Sequence, residues 1–278
     1  MDRYINFNGN LFPQEQPVFK AASRAARFGD GIFETMRMRE GKILFEEHHS
    51  SRLFQGLQLL RFQLPTYFKW EFLREEIRKL VAPNDCGIHA RVRLMVTRGE
   101  GGIMEDSVNS PQFLIECWPT ENFSLNKEGM RLGVFEDCRK SMDKYSNVKS
   151  CNFLPSVMAA LFAKKNELDE YLFLNSQNRI CDATISNVFW IKNRQICTTA
   201  LSEGGVAGVM RQQLLECLPR LGYSVNETTC KPEELLTADE VFLTNVIRGI
   251  RWVQSLGEAQ YSNAQISKIF EEVIAPLQ

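Results

Sequence analysis

The sequence predicts a mixed α and β fold in two domains, and three observations carry the prediction. Segments rich in β-branched and aromatic residues alternate along the chain with segments whose apolar residues recur at helical spacing. A polar segment led by proline, PTENFSLNK at 119–127, separates a strand that ends in FLIECW from a strand that begins with MRLGVF. The length of 278 residues suits one large or two ordinary domains. We expect a small N-terminal α/β domain over 1–119, an interdomain linker over 120–127 and a larger C-terminal α/β domain over 128–278.

Five further segments are predicted to be strands, because they are rich in β-branched or aromatic residues and are bounded by turn signals. These segments are 89–99, 170–175, 187–191, 195–200 and 239–247. In the first, HARVRLMVTRG, side chains alternate between the two faces of a sheet, so Arg91 and Arg93 share one face. Either arginine can meet a substrate carboxylate there, or both are solvated charges on the strand surface.

Three helices are predicted. The first runs from about Glu46 to Leu60, the second follows Asn152, and the third begins near Gly208. Apolar stripes support the first and the third helix: Leu53, Gly56, Leu57 and Leu60 in one, and Met210, Leu214, Leu218 and Leu221 in the other.

Composition and charge argue against several classes of protein. The net charge is -1 and no basic block is present, so we expect no nucleic-acid partner. No stretch nears the roughly 18 uncharged apolar residues of a membrane span, and the first residues hold no apolar run of signal-peptide length. The eight cysteines have no CxxC spacing, which argues against structural zinc and for reduced thiols in a cytoplasmic protein. With three histidines, a His-rich metal site is excluded and a Ser-His-Asp triad has few candidates.

One lysine, Lys149, lies just ahead of an apolar run in YSNVKSCNFLPSVMAAL, 145–161. A lysine at this place either lies on the surface of a loop or sits in a partly dry pocket. In a dry pocket it becomes a nucleophile, most usefully by forming an imine with a carbonyl cofactor.

A glycine-rich segment, SEGGVAGVMRQQLLE at 202–216, leads directly into the third predicted helix. The free N–H groups and the positive dipole end of a helix start can bind a phosphate. The segment matches neither the P-loop nor the GxGxxG pattern, and an ordinary tight turn remains the alternative.

Two further clusters carry candidate ligands for such a cofactor. In FGDGIFETMRMREGKILFEEHHSSRL, 28–53, Gly29 and Gly31 allow a close approach of the backbone, and Arg52 can clamp a phosphate or lie on a solvated helix face. In RICDATISNVF, 179–189, Asp182 is predicted to enter the strand that contains Asn187. A lysine, a carboxylate and a phosphate seat are the parts that a pyridoxal phosphate enzyme needs, although a carboxylate at a strand edge is more often a turn cap.

With these motifs in view, the chain resembles the class IV (fold type IV) pyridoxal-phosphate aminotransferases. This family includes branched-chain aminotransferase, D-amino-acid aminotransferase and 4-amino-4-deoxychorismate lyase. The resemblance covers roughly residues 20 to 255 and rests on seven motifs in family order: FGDGIFET, HHSSRL, ARVRLMVTRG, VKSCNFL, SNVFW, GGVAGVMRQ and ADEVFLTN. It implies a small N-terminal α/β domain, a larger barrel-like C-terminal domain, pyridoxal 5'-phosphate as cofactor, and a homodimer that completes the site.

The resemblance also implies roles for single residues. Lys149 is the imine-forming lysine. The implied cofactor ligands are Arg52, Asp182, Asn187, Gly208, Val209, Met210 and Thr244. The candidate substrate contacts are Phe33, Asn245 and, from the face of the strand over 89–99, Arg91 and Arg93. Asp182 stands where the family usually has glutamate, so its contact to the pyridine nitrogen is expected to be longer or water-mediated.

The motifs do not select one member of the family. Phe33 and Glu34 are not followed by the glycine of the branched-chain FEGxR motif, Phe153 replaces a tyrosine, and the Arg-x-His trap of the D-amino-acid enzymes is missing. VTRGEGG, GVAGVMRQ and the TN of FLTNVIRG are closer to the lyase branch, in which Thr35 is the candidate proton donor. We expect transamination between an amino acid and a 2-oxo acid. Aminodeoxychorismate cleavage is the first alternative, and a cofactor-free ligand-binding protein is the second.

Overall fold

The computed structural model describes residues 3–104 and 110–277. The chain forms two units. Unit 1 comprises Met1–Asn122 and Lys149–Asn152, and unit 2 comprises Phe123–Val148 and Phe153–Gln278. The short segment Lys149–Asn152 thus belongs with unit 1, although the residues on both sides of it belong to unit 2.

Unit 1 contains a six-stranded sheet. Its strands are β1 Tyr4–Phe7, β2 Asn10–Pro13, β3 Gly31–Arg39, β4 Lys42–Ile43, β5 His89–Arg98 and β6 Pro111–Pro119. Its helices are α1 Arg24–Phe28, α2 Glu46–Leu59 and α3 Trp70–Val81. The strand order is β2-β1-β6-β5-β3-β4, and neighbouring strands are antiparallel.

The alternation of β5 gives the sheet of unit 1 two different faces. Val92 and Leu94 are fully buried, and Val92 lies opposite Cys117, whose thiol is 3.8 Å from the Leu80 carbonyl of α3. This face therefore packs against helix. Arg91 and Arg93 project from the other face, as predicted from the period of two.

Helix α3 is not among the three predicted helices. Its fully buried Leu73, Ile77 and Leu80 recur at spacings of four and three and form one apolar stripe. Because α3 and α2 both supply buried leucines to unit 1, the core of this unit depends on the helix that the prediction omitted.

Unit 2 contains a nine-stranded sheet. Its strands are β7 Met130–Lys140, β8 Glu170–Asn175, β9 Ile180–Ala183, β10 Asn187–Lys192, β11 Gln195–Thr199, β12 Val225–Thr228, β13 Glu240–Asn245, β14 Gly249–Leu256 and β15 Ala259–Gln260. Its helices are α4 Leu154–Lys165, α5 Val209–Arg220, α6 Pro232–Leu235 and α7 Ala264–Ile269. The order is β12-β11-β10-β13-β14-β7-β8-β9, with β15 paired to β14.

The sheet of unit 2 curls so that its last strand, β9, returns to β10 and β11. Thr199 of β11 donates to the Cys181 carbonyl of β9 at 3.0 Å, which links the two strands without a regular ladder. Phe189 and Phe242 stack inside this unit with their ring centroids 5.0 Å apart and are fully buried. The predicted barrel-like character of the larger domain is therefore confirmed.

Most of the predicted elements are present within one or two residues of the expected bounds. The five predicted strands correspond to β5, β8, β10, β11 and β13, and the three predicted helices to α2, α4 and α5. The placement of Asp182 was wrong: it lies in the separate strand β9, and a turn at 184–186 precedes β10. No helix in the described part of the chain has the length and hydropathy that a membrane crossing requires.

Candidate functional site

In unit 1, Lys149 is fixed against the edge of β3. The Phe33 N–H donates to the Lys149 carbonyl at 3.0 Å, and the Cys151 N–H donates to the Gly31 carbonyl at 2.9 Å. The Lys149 Nζ lies 4.3 Å from the centroid of the Phe33 ring, a cation–π contact. Lys149 is half-buried and held by backbone pairing, in contrast to a lysine on an exposed loop.

Two glycines make room for the lysine segment. A Cβ on Gly31 would lie 2.8 Å from the Val96 carbonyl oxygen and 3.3 Å from the Cys151 Sγ. Gly29 has φ 65°, and a Cβ there would lie 2.7 Å from the Asn152 Oδ1. The predicted close approach at these glycines is confirmed: the segment that carries Lys149 approaches both, and at Gly31 the neighbouring strand β5 lies closer still.

Arg52 is bound by a buried carboxylate of β3. Its Nε and Nη2 donate to the two Glu34 oxygens at 2.8 and 2.5 Å, and the His49 Nδ1 lies 2.6 Å from Glu34 Oε2. Burial alone would raise the pKa of Glu34, but Arg52 and His49 outweigh it and lower the pKa to about 2. Burial lowers the pKa of His49, so its neutral ring donates to the ionised Glu34. Arg52 is thus oriented by a bidentate pair and does not lie on a solvated helix face.

The sheet face of unit 1 that carries Phe33 is rich in arginine. In the β3–β5 register, Thr35 lies opposite Arg93 and Arg37 lies opposite Arg91, so all four share this face with Phe33. Phe33 therefore shares this face with Arg91 and Arg93, the two candidate substrate contacts of β5.

Contacts on this face orient two of its arginines. The Arg93 guanidinium lies 4.9 Å from the Phe33 centroid and 3.1 Å from a Glu116 oxygen. Arg91 lies over the Trp118 ring at 5.3 Å. The arginines give this face positive charge, so it can attract an anionic ligand.

In unit 2, the glycine-rich loop ends at the start of α5. Gly208 is the N-cap, and Val209 and Met210 are the first two helical residues and are buried. A Cβ on Gly208 would overlap the Asn187 Oδ1, so this position has room only for glycine. The first N–H groups of a helix have no acceptor within it, so those of Val209 and Met210 point beyond its start. A helix start of this kind can bind an anion.

Two asparagines hold this loop in place. The Asn187 Nδ2 donates to the Val206 carbonyl at 2.8 Å. The Asn147 Nδ2 donates to the carbonyls of Leu201 and Gly205 at 2.8 and 2.6 Å. These hydrogen bonds restrain the loop, and a restrained loop loses less entropy when a ligand binds.

Asp182 is buried and has three hydrogen-bond partners. Its Oδ2 accepts from the Lys140 Nζ and from the Val206 N–H, both at 3.0 Å, and its Oδ1 accepts from the Asn187 Nδ2 at 3.2 Å. Asp182 is therefore neither a solvated carboxylate nor a turn cap. It joins β9 to the loop that begins α5.

Thr244 and Asn245 end β13, and Thr244 lies opposite Asn187 in the β10–β13 register. The Thr244 hydroxyl donates to the Gly249 carbonyl at 3.0 Å, and the Asn245 Nδ2 donates to the Ser186 Oγ at 3.1 Å. Within unit 2, the register thus places Thr244 beside Asn187.

A buried carboxylate, Glu170, supports the turn between β9 and β10. Its oxygens accept from the Ser186 hydroxyl at 3.2 Å and from the Ile185 N–H at 3.3 Å, and Arg248 lies 3.4 Å away. Burial raises the pKa of Glu170 to about 7, against the opposing effect of Arg248.

The residues present fit the pyridoxal phosphate that the resemblance implies. In unit 2, a helix start without a Cβ at its cap suits the phosphate, and the carboxylate of Asp182 suits a protonated pyridine nitrogen. In unit 1, the oriented Arg52 suits a phosphate and Lys149 supplies the amine. Among the described residues, no group of three or more His, Cys, Asp or Glu is arranged to hold a metal ion.

Three charged residues around these candidates were missed in the sequence: Glu34, Lys140 and Glu170. A carboxylate between apolar neighbours, as in GIFETM, indicates a buried charge with a partner, and this signal could have identified Glu34. Lys140 and Glu170 have no such local signal, because their contacts reach Asp182 and Ser186, which are distant in the sequence.

Comparison with known proteins places the chain among enzymes of one family. The family described as "Amino-transferase class IV" matches residues 31–256. The chain is 30% identical to the aminodeoxychorismate lyase of Bacillus subtilis over 93% of this chain and 88% of the relative. It is 28% identical to the D-alanine aminotransferase of Listeria monocytogenes over 96% of this chain and 94% of the relative.

Solved structures share the fold. The crystal structure of the branched-chain aminotransferase of Thermoproteus uzoniensis superposes with a TM-score of 0.88 at 20% identity, covering 100% of this chain and 95% of that one. The motifs, the curled sheet of unit 2 and these matches agree. The chain belongs to the class IV aminotransferase family.

Proposed function

We propose that this chain is a pyridoxal-phosphate-dependent enzyme that transfers an amino group between an amino acid and a 2-oxo acid. The observation that carries the proposal is the cluster in unit 2 in which Asp182 and Asn187 hold the loop that begins α5. A carboxylate tied to a helix N-terminus in this way suits two groups of the cofactor, the ring nitrogen and the phosphate. Another branched-chain aminotransferase of the same fold, with a TM-score of 0.85, is complexed with a phosphopyridoxyl derivative of glutamate.

Each candidate residue has a distinct task in this proposal. The amine of Lys149 would hold the cofactor through its aldehyde carbon, with loss of water, and would move the proton at the substrate α carbon. Arg52 of unit 1 and the N–H groups of Val209 and Met210 of unit 2 are the candidate phosphate ligands, and Asp182 would keep the pyridine nitrogen protonated. When bound, the cofactor supplies an electron sink for the pair released at the α carbon.

Cleavage of aminodeoxychorismate is the second candidate. The observations that favour it are the 30% identity to the Bacillus subtilis aminodeoxychorismate lyase and the arginine-rich face of unit 1. Aminodeoxychorismate carries two carboxylates, and Arg91 and Arg93 on one face suit a dianion. In this reading Thr35, opposite Arg93, donates the proton.

Addition of pyridoxal phosphate to the purified protein tests the proposal. We expect imine absorbance, followed by conversion to the amine form with an amino acid for a transaminase. Release of pyruvate from aminodeoxychorismate without such conversion would assign the lyase instead. Absence of imine absorbance would contradict both enzymatic readings and favour the ligand-binding alternative.

We also propose that two copies of this chain form a homodimer through α4. One face of α4 exposes Leu154, Val157, Met158 and Leu161 at helical spacing, with 70% of Leu154 and 58% of Leu161 accessible. An uncharged apolar stripe of this kind indicates an interface. A second copy is the expected occupant, because the family resemblance implies a dimer.

Sedimentation equilibrium tests this assembly. The parent protein should have twice the chain mass of 32.0 kDa, and Leu161→Glu should shift it toward the monomer. Arg220→Glu changes an exposed charge on another helix of the same unit, α5, and serves as the control. A monomeric parent would contradict the dimer.

We propose a cytoplasmic location, supported by eight cysteines that are all free in the structure. Fractionation of cells that express the tagged chain tests this, and recovery outside the cytoplasmic fraction would contradict it.

A further inference from the structure

The charge partner of Asp182 in this protein is a lysine from a different strand. Lys140 ends β7, and its ammonium lies 3.0 Å from Asp182 Oδ2. The Lys140 side chain is 21% exposed and that of Asp182 is 6% exposed, so the pair is largely removed from water. Burial alone would lower the pKa of Lys140. The nearby Asp182 carboxylate has the opposite effect through its charge and its hydrogen bond, and the pKa of Lys140 is raised.

The hydrogen bonds of Asp182 leave little capacity for another donor. Its Oδ2 already accepts from Lys140 and from the Val206 N–H, and its Oδ1 accepts from Asn187. A carboxylate has about four lone-pair sites, so one site on Oδ1 remains. A pyridine nitrogen bound to Asp182 would share the carboxylate with a lysine that is already present.

We propose that Lys140 is a positioning residue that acts through Asp182: it holds the carboxylate against the α5 loop and reduces the negative charge that the cofactor nitrogen meets. This inference rests on the proposed function, because it requires pyridoxal phosphate with its ring nitrogen at Asp182. A nearby cation disfavours a second positive charge, so Lys140 lowers the proton affinity of that nitrogen. The enzyme thereby tunes its electron sink with a residue that does not touch the cofactor.

Three other ionisable groups influence this pair electrostatically: Glu170, Cys138 and Cys181. Glu170 and Asp182 repel each other, and the thiols of Cys138 and Cys181 lie close enough to influence Lys140. Lys140 differs from all three because it donates a hydrogen bond directly to the Asp182 carboxylate.

Nitrogen-15 NMR of labelled pyridoxal phosphate bound to the protein reads the protonation of the ring nitrogen directly. In Lys140→Met, the pH at which this nitrogen loses its proton should rise by about one unit relative to the parent, the scale of a nearby charge. Lys140→Arg keeps the charge and should retain the parent value. Arg139→Met removes the charge of the residue next to Lys140, whose guanidinium donates to Asn178 and not to Asp182, and this variant should also keep the parent pH value. An unchanged value in Lys140→Met would overturn the proposal.

Two further measurements cover other outcomes. If Lys140→Met does not fold, Lys140→Gln keeps a donor without the charge and should show the same rise; a parent-like value would overturn the proposal. In the cofactor-free protein, the Val206 amide should exchange with solvent about tenfold faster in the uncharged variant than in the parent. An equal exchange rate would overturn the role in holding the loop. A parent that forms no imine with pyridoxal phosphate would instead contradict the proposed function.

Discussion

Replacement of Glu34 by glutamine tests the buried cluster that orients Arg52. The substitution keeps the shape of the side chain but removes the negative charge of the carboxylate, which accepts two hydrogen bonds from Arg52 and one from His49. The pKa of Glu34 falls from 4.5 to about 2 in the folded protein. At about 1.4 kcal/mol per pKa unit, this shift corresponds to about 3 kcal/mol of stability near pH 7. Loss of one partner from a buried ion pair has a similar cost of about 3–5 kcal/mol.

The sign of the pH dependence follows from the direction of the shift. A carboxyl with a lowered folded pKa stabilises the protein above its unfolded pKa, and the stabilisation is lost as the pH falls toward the folded pKa. For Glu34 this window lies between 4.5 and about 2. The difference between parent and Glu34→Gln should therefore fall from about 3 kcal/mol near pH 7 to about half of that near pH 3.

Urea denaturation of the two proteins at both pH values measures this difference. Glu116→Gln is the matched control, because Glu116 also pairs with an arginine of the same unit but is 23% exposed. Its loss should cost no more than about 1 kcal/mol. A cost below about 1 kcal/mol for Glu34→Gln near pH 7, or a cost that does not shrink on acidification, would refute the reasoning.

Two other predictions concern unit 2. The pKa of Glu170 is raised to about 7 in the folded protein, so the parent should lose up to about 3 kcal/mol of stability as the pH rises from about 4.5 to 7. Glu170→Gln has no carboxyl to titrate and should lack this loss. Urea denaturation over this pH range measures the difference, and identical pH profiles for the two proteins would count against the prediction. Gly208→Ala places a Cβ against the Asn187 amide and should cost about 1–3 kcal/mol and weaken cofactor retention. Gly208 has φ -69°, which alanine adopts without backbone strain, so the expected cost comes from packing, and a cost below about 0.5 kcal/mol would contradict the packing argument.

Local patterns were sufficient for many elements of the fold. β5 was predictable because its alternation of Val92 and Leu94 with Arg91 and Arg93 is preserved in the sheet. α5 was predictable because Gly208 precedes a run of apolar residues at helical spacing. In both cases the residues that decide the element are neighbours in sequence.

Other features depend on contacts that sequence spacing does not reveal. Asp182 was assigned to the strand of Asn187, but a turn separates them, and the two side chains meet because the sheet curls β9 back toward β10. The ion pair of Lys140 with Asp182 joins residues 42 positions apart. The candidate ligands were identified from motifs, whereas the charges that orient them became visible only in the fold.

The bond between Lys149 and the cofactor is the central step of the proposed chemistry. Borohydride reduction of the protein with pyridoxal phosphate, followed by proteolysis and mass spectrometry, should place the reduced adduct on the peptide that contains Lys149. Lys149→Ala should fold with the parent melting temperature, form no adduct and show no turnover, while Lys144→Ala, in the same segment, should behave as the parent. An adduct on another lysine, or full activity in Lys149→Ala, would contradict the assignment of this residue and the chemistry proposed for the protein.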